Sequence, residues 1–215
     1  MSSTTRDIRV GVDIGGTFTD IVIMDAAGGI VAKKVSSTVD NYARAISEGL
    51  ATAFAEHGIA GAEVAEVLHG ATVASNAILE LKGARTGLIT TKGFRDVLEL
   101  RLLRMPRLYD LTWEKPPMLV ERHLRFEVDE RINARGEVER PLDPAEVEAV
   151  LERLLAEQVE AISVCLLHSY RNDGHERMIR DVIPRKAPDM VLSISSEVLP
   201  EIKEYERTTT TVINA

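Results

Sequence analysis

Asp13-Ile-Gly-Gly-Thr-Phe-Thr-Asp20 brings an acid, a glycine pair and two hydroxyls into one short stretch. The Gly-Gly-Thr segment is expected to turn the chain between two antiparallel strands. Glycines there let the backbone approach a ligand, and the amides of such a turn can point at an anion. Thr17 and Thr19 add hydroxyl donors, and Asp13 ends the first strand. A carboxylate in that place suits Mg2+, which keeps several waters and takes few protein ligands. The types and spacing therefore predict a cradle for phosphate and magnesium. The stretch is not a P-loop, because no G-x-x-x-x-G-K-[ST] occurs. It also lacks the G-x-G-x-x-G spacing of a dinucleotide fingerprint, and no helix follows at once. An ordinary tight hairpin would also use glycine. The acid before the pair and the threonines after it favour phosphate.

Other polar residues have blander expectations. Asp20 is expected to pin the hairpin, with a water or metal as the alternative. Cys165 lies in an apolar run and is expected to be a buried, inert thiol. His168 and His175 are not spaced as metal ligands and are expected to be structural. Arg101, Arg104 and Arg107 form a small basic run, expected on a solvated surface or a subunit contact, with a ligand carboxylate or phosphate as the alternative.

The elements that must position the cradle are visible as periodicity. Ile8 to Ile14 alternates as a strand does, and Thr19 to Asp25 and Ile30 to Val35 follow as a second and a third. Ile46, Leu50, Ala53 and His57 mark a helix that Gly58 can cap. A strand at Glu66 to Leu68, a helix at about Val73 to Leu81 and a strand at Gly87 to Thr90 come next. The first ninety or so residues are thus expected as β-β-β-α-β-α-β. Residues 101–117 are expected to form a long ordered loop. FEVDERI, from Phe126 to Ile132, alternates, and Asn133 to Gly136 is turn-like. Asp143, Pro144 and Glu146 predict a capping box ahead of a stripe of Val147, Val150, Leu151, Leu154 and Leu155. Ala161 to Leu167 is apolar throughout, as in a strand buried on both faces. A helix at His175 to Val182 and a strand at Met190 to Ile194 complete a β-α-β-α-β half. The final Val-Ile-Asn-Ala predicts that the chain is the front part of a longer polypeptide, with apolar surface left open near Val212 and Ile213.

Composition excludes several classes. The 215 residues are 45% hydrophobic and 28% charged, which supports a folded core. The net charge of −8 argues against a global basic field for nucleic acid or membrane. A lone cysteine excludes a disulfide scaffold and a Cys-rich zinc module. No apolar run reaches the roughly 18 residues of a membrane helix. A cytoplasmic setting is expected, with no nucleic acid and no membrane as partner.

The chain resembles known proteins at these residues. DIGGTFTD in a hairpin followed by a strand and a helix is similar to the first phosphate motif of the actin-like ATPase superfamily. More narrowly, His69-Gly-Ala-Thr-Val-Ala-Ser-Asn-Ala77, Gly87-Leu-Ile-Thr-Thr-Lys-Gly-Phe-Arg-Asp96, Arg107-Leu-Tyr-Asp-Leu111, Phe126-Glu-Val-Asp-Glu-Arg131, Leu167-His-Ser-Tyr-Arg171 and Glu204-Tyr-Glu-Arg-Thr208 resemble blocks of the hydantoinase A / 5-oxoprolinase family. Ala71 stands where that family usually has Thr, which leaves Thr72 as the hydroxyl of its block.

The resemblance implies an α/β fold with a ribonuclease-H-like mixed sheet opening in a β-β-β meander, plus a second α/β elaboration. The expected parts are residues 1–96 as the first ATPase subdomain, 97–200 as the elaboration, and 201–215 as the start of a further domain. It implies ATP and Mg2+, with Gly15, Gly16, Thr17, Thr19 and Thr72 at the nucleotide and Asp13 holding the metal as a catalytic residue. His69 is expected as a second catalytic residue near substrate or phosphates, or else as a cap of the helix after it. Asn76 is expected to bond nearby backbone. The implied activity is ATP-dependent hydrolysis of a cyclic amide, such as a hydantoin or 5-oxoproline, through phosphorylation of a carbonyl oxygen. The alternatives are the ATP-binding subunit of a ketone carboxylase and a non-catalytic nucleotide- or partner-binding fragment. A second subunit or a C-terminal segment is the expected partner, and the chain alone is expected to be inactive.

Overall fold

A computed structural model describes residues 7–38, 40–102, 109–110 and 112–215. Of the basic run, Arg104 and Arg107 lie outside the described residues, as does most of the Arg107–Leu111 block. The chain divides at Lys82/Gly83 into two compact units.

The first unit opens with β1 (Ile8–Ile14), β2 (Phe18–Met24) and β3 (Ile30–Ser36), each antiparallel to the next. Helix α1 (Tyr42–His57), strand β4 (Val64–Ala71) and helix α2 (Val73–Leu79) follow. Strand β4 joins β1 in parallel, so the order is β3-β2-β1-β4 and the sheet is mixed. Alternation explains the packing. Ile8, Val10, Val12 and Ile14 face one side and are buried, together with Ile21 and Ile23 of β2. Leu50, Ala53 and Phe54 of α1 join that core. Asn41 caps α1 by accepting from the Ala43 amide, as a short polar side chain does at a helix start. Gly58 ends α1 at φ 62°, the left-handed conformation that glycine adopts without strain.

The second unit contains β5 (Thr86–Thr91), α3 (Val97–Leu100), β6 (Arg125–Val128), β7 (Arg131–Ile132) and β8 (Val138–Arg140). It continues with α4 (Pro144–Ala156), β9 (Ala161–Cys165), α5 (Gly174–Lys186), β10 (Val191–Ile194), α6 (Ser195–Val198) and α7 (Glu204–Asn214). Its main sheet is parallel throughout, in the order β10-β9-β5-β6. Every residue of β5 and β9 is buried, as parallel strands covered on both faces must be.

Four expectations change. Strand β5 pairs with β6 and β9, so it belongs to the second unit and the division falls before it, not after residue 96. Residues 201–215 do not stand apart: α7 packs on β9 and β10, and of the two apolar residues expected to be open, Val212 is buried while Ile213 is 44% exposed. The stretch FEVDERI breaks into β6 and β7, the latter pairing with β8 across the Asn133–Gly136 turn. Asp143 does cap α4 through the Ala145 amide, but Glu146 accepts from the Asp129 amide at 2.9 Å, so that carboxylate ties α4 to the end of β6 and not to its own cap.

Candidate phosphate site in the first unit

The turn from Gly15 to Thr17 is closed by the Gly15 amide donating to the Phe18 carbonyl at 3.0 Å. Register places Asp13 opposite Asp20 and Ile14 opposite Thr19. The Gly16 and Thr17 amides have no acceptor among the described residues, and both residues are exposed. Unpaired N–H groups in an exposed turn are anion donors.

A side-chain relay holds the turn from below. The Ser37 hydroxyl donates to the Gly15 carbonyl at 2.7 Å, and the Ser37 amide donates to the Thr17 carbonyl at 2.9 Å. Ser37 Oγ also lies 2.9 Å from Thr19 Oγ1. A hydroxyl has one proton, and that of Ser37 goes to Gly15, so Thr19 donates to Ser37. Thr19 is fully buried. Its hydroxyl therefore supports the turn from the core side, while Thr17 remains on the open side.

The end of β4 closes the second flank. The Thr72 amide donates to the Ile14 carbonyl at 2.9 Å and its hydroxyl to the same oxygen at 3.3 Å. A Cβ on Gly15 would sit 3.9 Å from Thr72 Oγ1, and one on Gly16 would sit 3.8 Å from Asn76 Nδ2. Thr72 and Asn76 thus border the glycines, and Asn76 Nδ2 reaches Thr72 Oγ1 at 3.5 Å. His69 stands in register with Val12, whose side chain faces the core. Neighbours in register share a face, so His69 lies on the opposite face of the sheet from Asp13, exposed on edge strand β4. It does not cap α2 by a side-chain bond either, since Thr72 occupies the cap position without one.

The electrostatics fit a hard cation. Asp13 is exposed and takes no hydrogen bond or ion pair among the described residues. Asp20, directly across from it, is bound by Lys34 at 2.9 Å, an exposed pair that links β2 to β3 and does not reach the turn itself. Like charges opposite one another in a ladder repel, so Asp13 is the free oxygen donor of the pair. Among the described residues no group of three or more His, Cys, Asp or Glu could hold a metal. A Mg2+ here would rest on Asp13, waters and the ligand's own oxygens, which is its usual preference.

The family described as the hydantoinase/oxoprolinase N-terminal region matches residues 9–187, which include this turn and most of both units. The chain belongs to that family. It is 38% identical over 216 residues to the caprolactamase subunit alpha of Pseudomonas jessenii, covering 98% of this chain and 31% of that protein. It is 31% identical over 238 residues to 5-oxoprolinase 1 of Arabidopsis thaliana, covering 97% of this chain and 19% of that protein. Among solved structures, nucleotide-free acetone carboxylase, studied for ATP-dependent acetone carboxylation, superposes with a TM-score of 0.86 at 28% identity, covering 97% of this chain and 32% of the other. The crystal structure of the ATP-dependent caprolactamase from P. jessenii gives 0.81 at 37% identity, with 96% and 31% covered. The chain therefore spans about a third or less of the length of these relatives.

The remaining sequence candidates lie in the second unit, where they make hydrogen bonds and packing contacts. His175 Nε2 accepts from the Leu142 amide at 3.4 Å. The bond made by one ring nitrogen fixes the proton on the other. His175 Nδ1 therefore carries the proton and donates to buried Glu130 at 2.7 Å. Thr91 donates to the other oxygen of Glu130. His168 packs edge-on against Tyr170, 5.9 Å between ring centres. Arg101 donates to the Pro116 carbonyl at 2.5 Å. Among the described residues no helix is long and apolar enough to cross a membrane. Ser37 and Asn76 are the site residues that sequence reasoning missed or undervalued.

Proposed function

We propose that this chain is the N-terminal part of an ATP-dependent enzyme that hydrolyses a cyclic amide by phosphorylating its carbonyl oxygen. The observation that carries it is the Gly15–Thr17 turn, with two amides and the Asp13 carboxylate at its foot that have no partner among the described residues. In this reading the Gly16 and Thr17 amides and the Thr17 hydroxyl receive phosphate oxygens, and Thr72 and Asn76 border them. Asp13 would hold Mg2+, which when bound supplies positive charge at the transferring phosphoryl group. Thr19 and Ser37 keep the turn in shape. Phosphorylation turns an amide oxygen into a phosphate leaving group. The fold that suits this role is ribonuclease-H-like, the antiparallel trio with parallel β4 being its opening. A second subunit or further segment would complete the reaction.

The amide reading draws on the higher identity to caprolactamase, 38%. A ketone carboxylase subunit is the second reading, favoured by the TM-score of 0.86 to acetone carboxylase. The test is phosphate release by the full-length enzyme on caprolactam, hydantoin, 5-oxoproline, and acetone with bicarbonate. Asp13→Ala should abolish ATP-dependent turnover while leaving the circular dichroism spectrum unchanged, since the lost charge stabilisation amounts to roughly 3–4 kcal/mol or more. Near-normal turnover in that variant would refute the assignment. Release with acetone and bicarbonate alone would select the carboxylase reading.

A further inference from the structure

Among the described residues nothing in the fold demands glycine at position 16. Its φ lies outside the left-handed region that favours glycine. A Cβ there would meet no atom closer than Asn76 Nδ2, at an ordinary 3.8 Å. What a side chain would take up is the space between the Gly16 amide, which has no acceptor among the described residues, and the Asn76 carboxamide. A glycine that neither strain nor packing requires fits a place where a ligand comes close to the backbone.

Asn76 is held so that it faces this space. It sits one turn into α2, half-buried, and its own amide donates to the Thr72 carbonyl at 2.9 Å. Thr72 also decides which end of the carboxamide points inward. A hydroxyl has one proton, and that of Thr72 goes to the Ile14 carbonyl at 3.3 Å. Thr72 Oγ1 can then only accept, so the end 3.5 Å from it is Nδ2. A contact of that length is a weak bond, which orients the group and leaves its donors open to a stronger acceptor. Nδ2 carries two protons, and the second has no acceptor among the described residues. Ile14 ends β1, the strand that carries Asp13. The path from Ile14 through Thr72 to Asn76 therefore ties this donor to the strand beneath the turn.

We propose that Asn76 is a further phosphate-binding residue: its Nδ2 donates to the same phosphate group that accepts from the Gly16 and Thr17 amides, and Gly16 stays bare so that the group can reach all three. The inference rests on the phosphate reading of the turn and adds to it a neutral donor from outside the turn. Two adjacent amides hold a phosphate in place, and a third donor on the far side of Gly16 also fixes its rotation, which in-line transfer needs.

The experiment is titration calorimetry of Mg-ATP on the full-length enzyme, with the melting temperature of each variant measured beside it. Asn76→Ala should weaken Mg-ATP by roughly tenfold or more, the loss of a charge-assisted hydrogen bond, with the melting temperature unchanged. Asn76→Asp keeps the shape of the side chain but replaces the donor with a charged acceptor, and it should weaken Mg-ATP further. That extra loss should shrink as salt is added, because salt screens repulsion between exposed charges. A merely structural role for Asn76 would give no salt-dependent gap between aspartate and alanine. Should Asn76→Ala fail to fold, Asn76→Asp against the parent enzyme, with and without salt, decides. Asp13→Ala separates this inference from the reading beneath it. If Asp13→Ala and both Asn76 variants bind as the parent does, the phosphate reading falls and this inference with it. If Asp13→Ala weakens Mg-ATP while the Asn76 variants keep full affinity, or aspartate is no worse than alanine, the role given to Asn76 is overturned and the turn remains a phosphate site.

Discussion

At Gly15 the space a side chain would need is already occupied by backbone. A Cβ there would stand 2.8 Å from the Phe18 carbonyl oxygen, the same atom that closes the turn. Gly16 differs, since its nearest neighbour would be Asn76 Nδ2 at 3.8 Å. The pair therefore separates folding from binding. Gly15→Ala should destabilise the first unit by about 1–3 kcal/mol, as overpacking does, in urea unfolding. Gly16→Ala should change stability by less than about 0.5 kcal/mol, yet in the full-length enzyme it should raise the KM for ATP by crowding the approach to the amides. Equal behaviour of the two would contradict the phosphate reading. Much of this site is legible in DIGGTFTD, because an acid and a glycine pair imply a close-approach turn. Period-two alternation also places Thr19 on the side of Ile21 and Ile23, all three of them buried. That signal was available, though the threonine reads first as a phosphate donor. Ser37 is not legible, because its role arises only when β3 pairs with β2 and brings the end of β3 beneath the turn. The same holds for His69, whose face depends on the parallel pairing of β4 with β1.

Elements with local signals match their expectation, and elements defined by partners do not. The order β-β-β-α-β-α-β is present, yet nothing local to Thr86–Thr91 distinguishes a strand of the first sheet from one that inserts between β9 and β6. Helix α7 is hidden for another reason. Four threonines in a row disfavour helix. Yet Thr208 and Thr211 return their hydroxyls to the Glu204 and Arg207 carbonyls at 2.7 Å each, and both residues are buried against the second sheet. Such back-bonding satisfies the hydroxyls inside the helix, and tertiary burial overrides propensity there. In α4 the cap and the stripe agree with the sequence pattern: Val147, Val150, Leu151 and Leu154 are buried, and Asp143 receives the Ala145 amide at 2.9 Å. Asp143→Ala should therefore cost the second unit about 1 kcal/mol, readable as a shift of its urea midpoint. Glu146→Gln should cost less than removing the side chain, because an amide oxygen can still accept from the Asp129 amide.

On the scale of the whole molecule, the candidate phosphate turn is one-sided. Asp13, Gly16, Thr17, His69, Gly70 and Thr72 are all exposed, and the buried groups beneath them serve the turn. An exposed turn offers a triphosphate a few hydrogen bonds while water competes for the same oxygens. It does not exclude solvent, and it supplies donors from a single segment, whereas phosphoryl transfer draws most of its rate from holding the phosphate in line with an acceptor. The two solved structures described with ATP-dependent activity are of chains about three times as long as this one. The 215-residue chain is therefore expected to bind Mg-ATP no better than roughly millimolar, about −4 kcal/mol. It should release no phosphate when offered hydantoin, 5-oxoproline or acetone. Titration calorimetry with Mg-ATP and a phosphate-release assay test both statements. Raising magnesium at fixed ATP should strengthen what binding there is, and Asp13→Ala should remove that dependence, since among the described residues no other free carboxylate stands across the turn once Lys34 holds Asp20. Micromolar binding with substrate-stimulated release would mean that this turn alone organises a full catalytic site, contrary to its exposure. Binding that ignores magnesium would break the link between Asp13 and the metal.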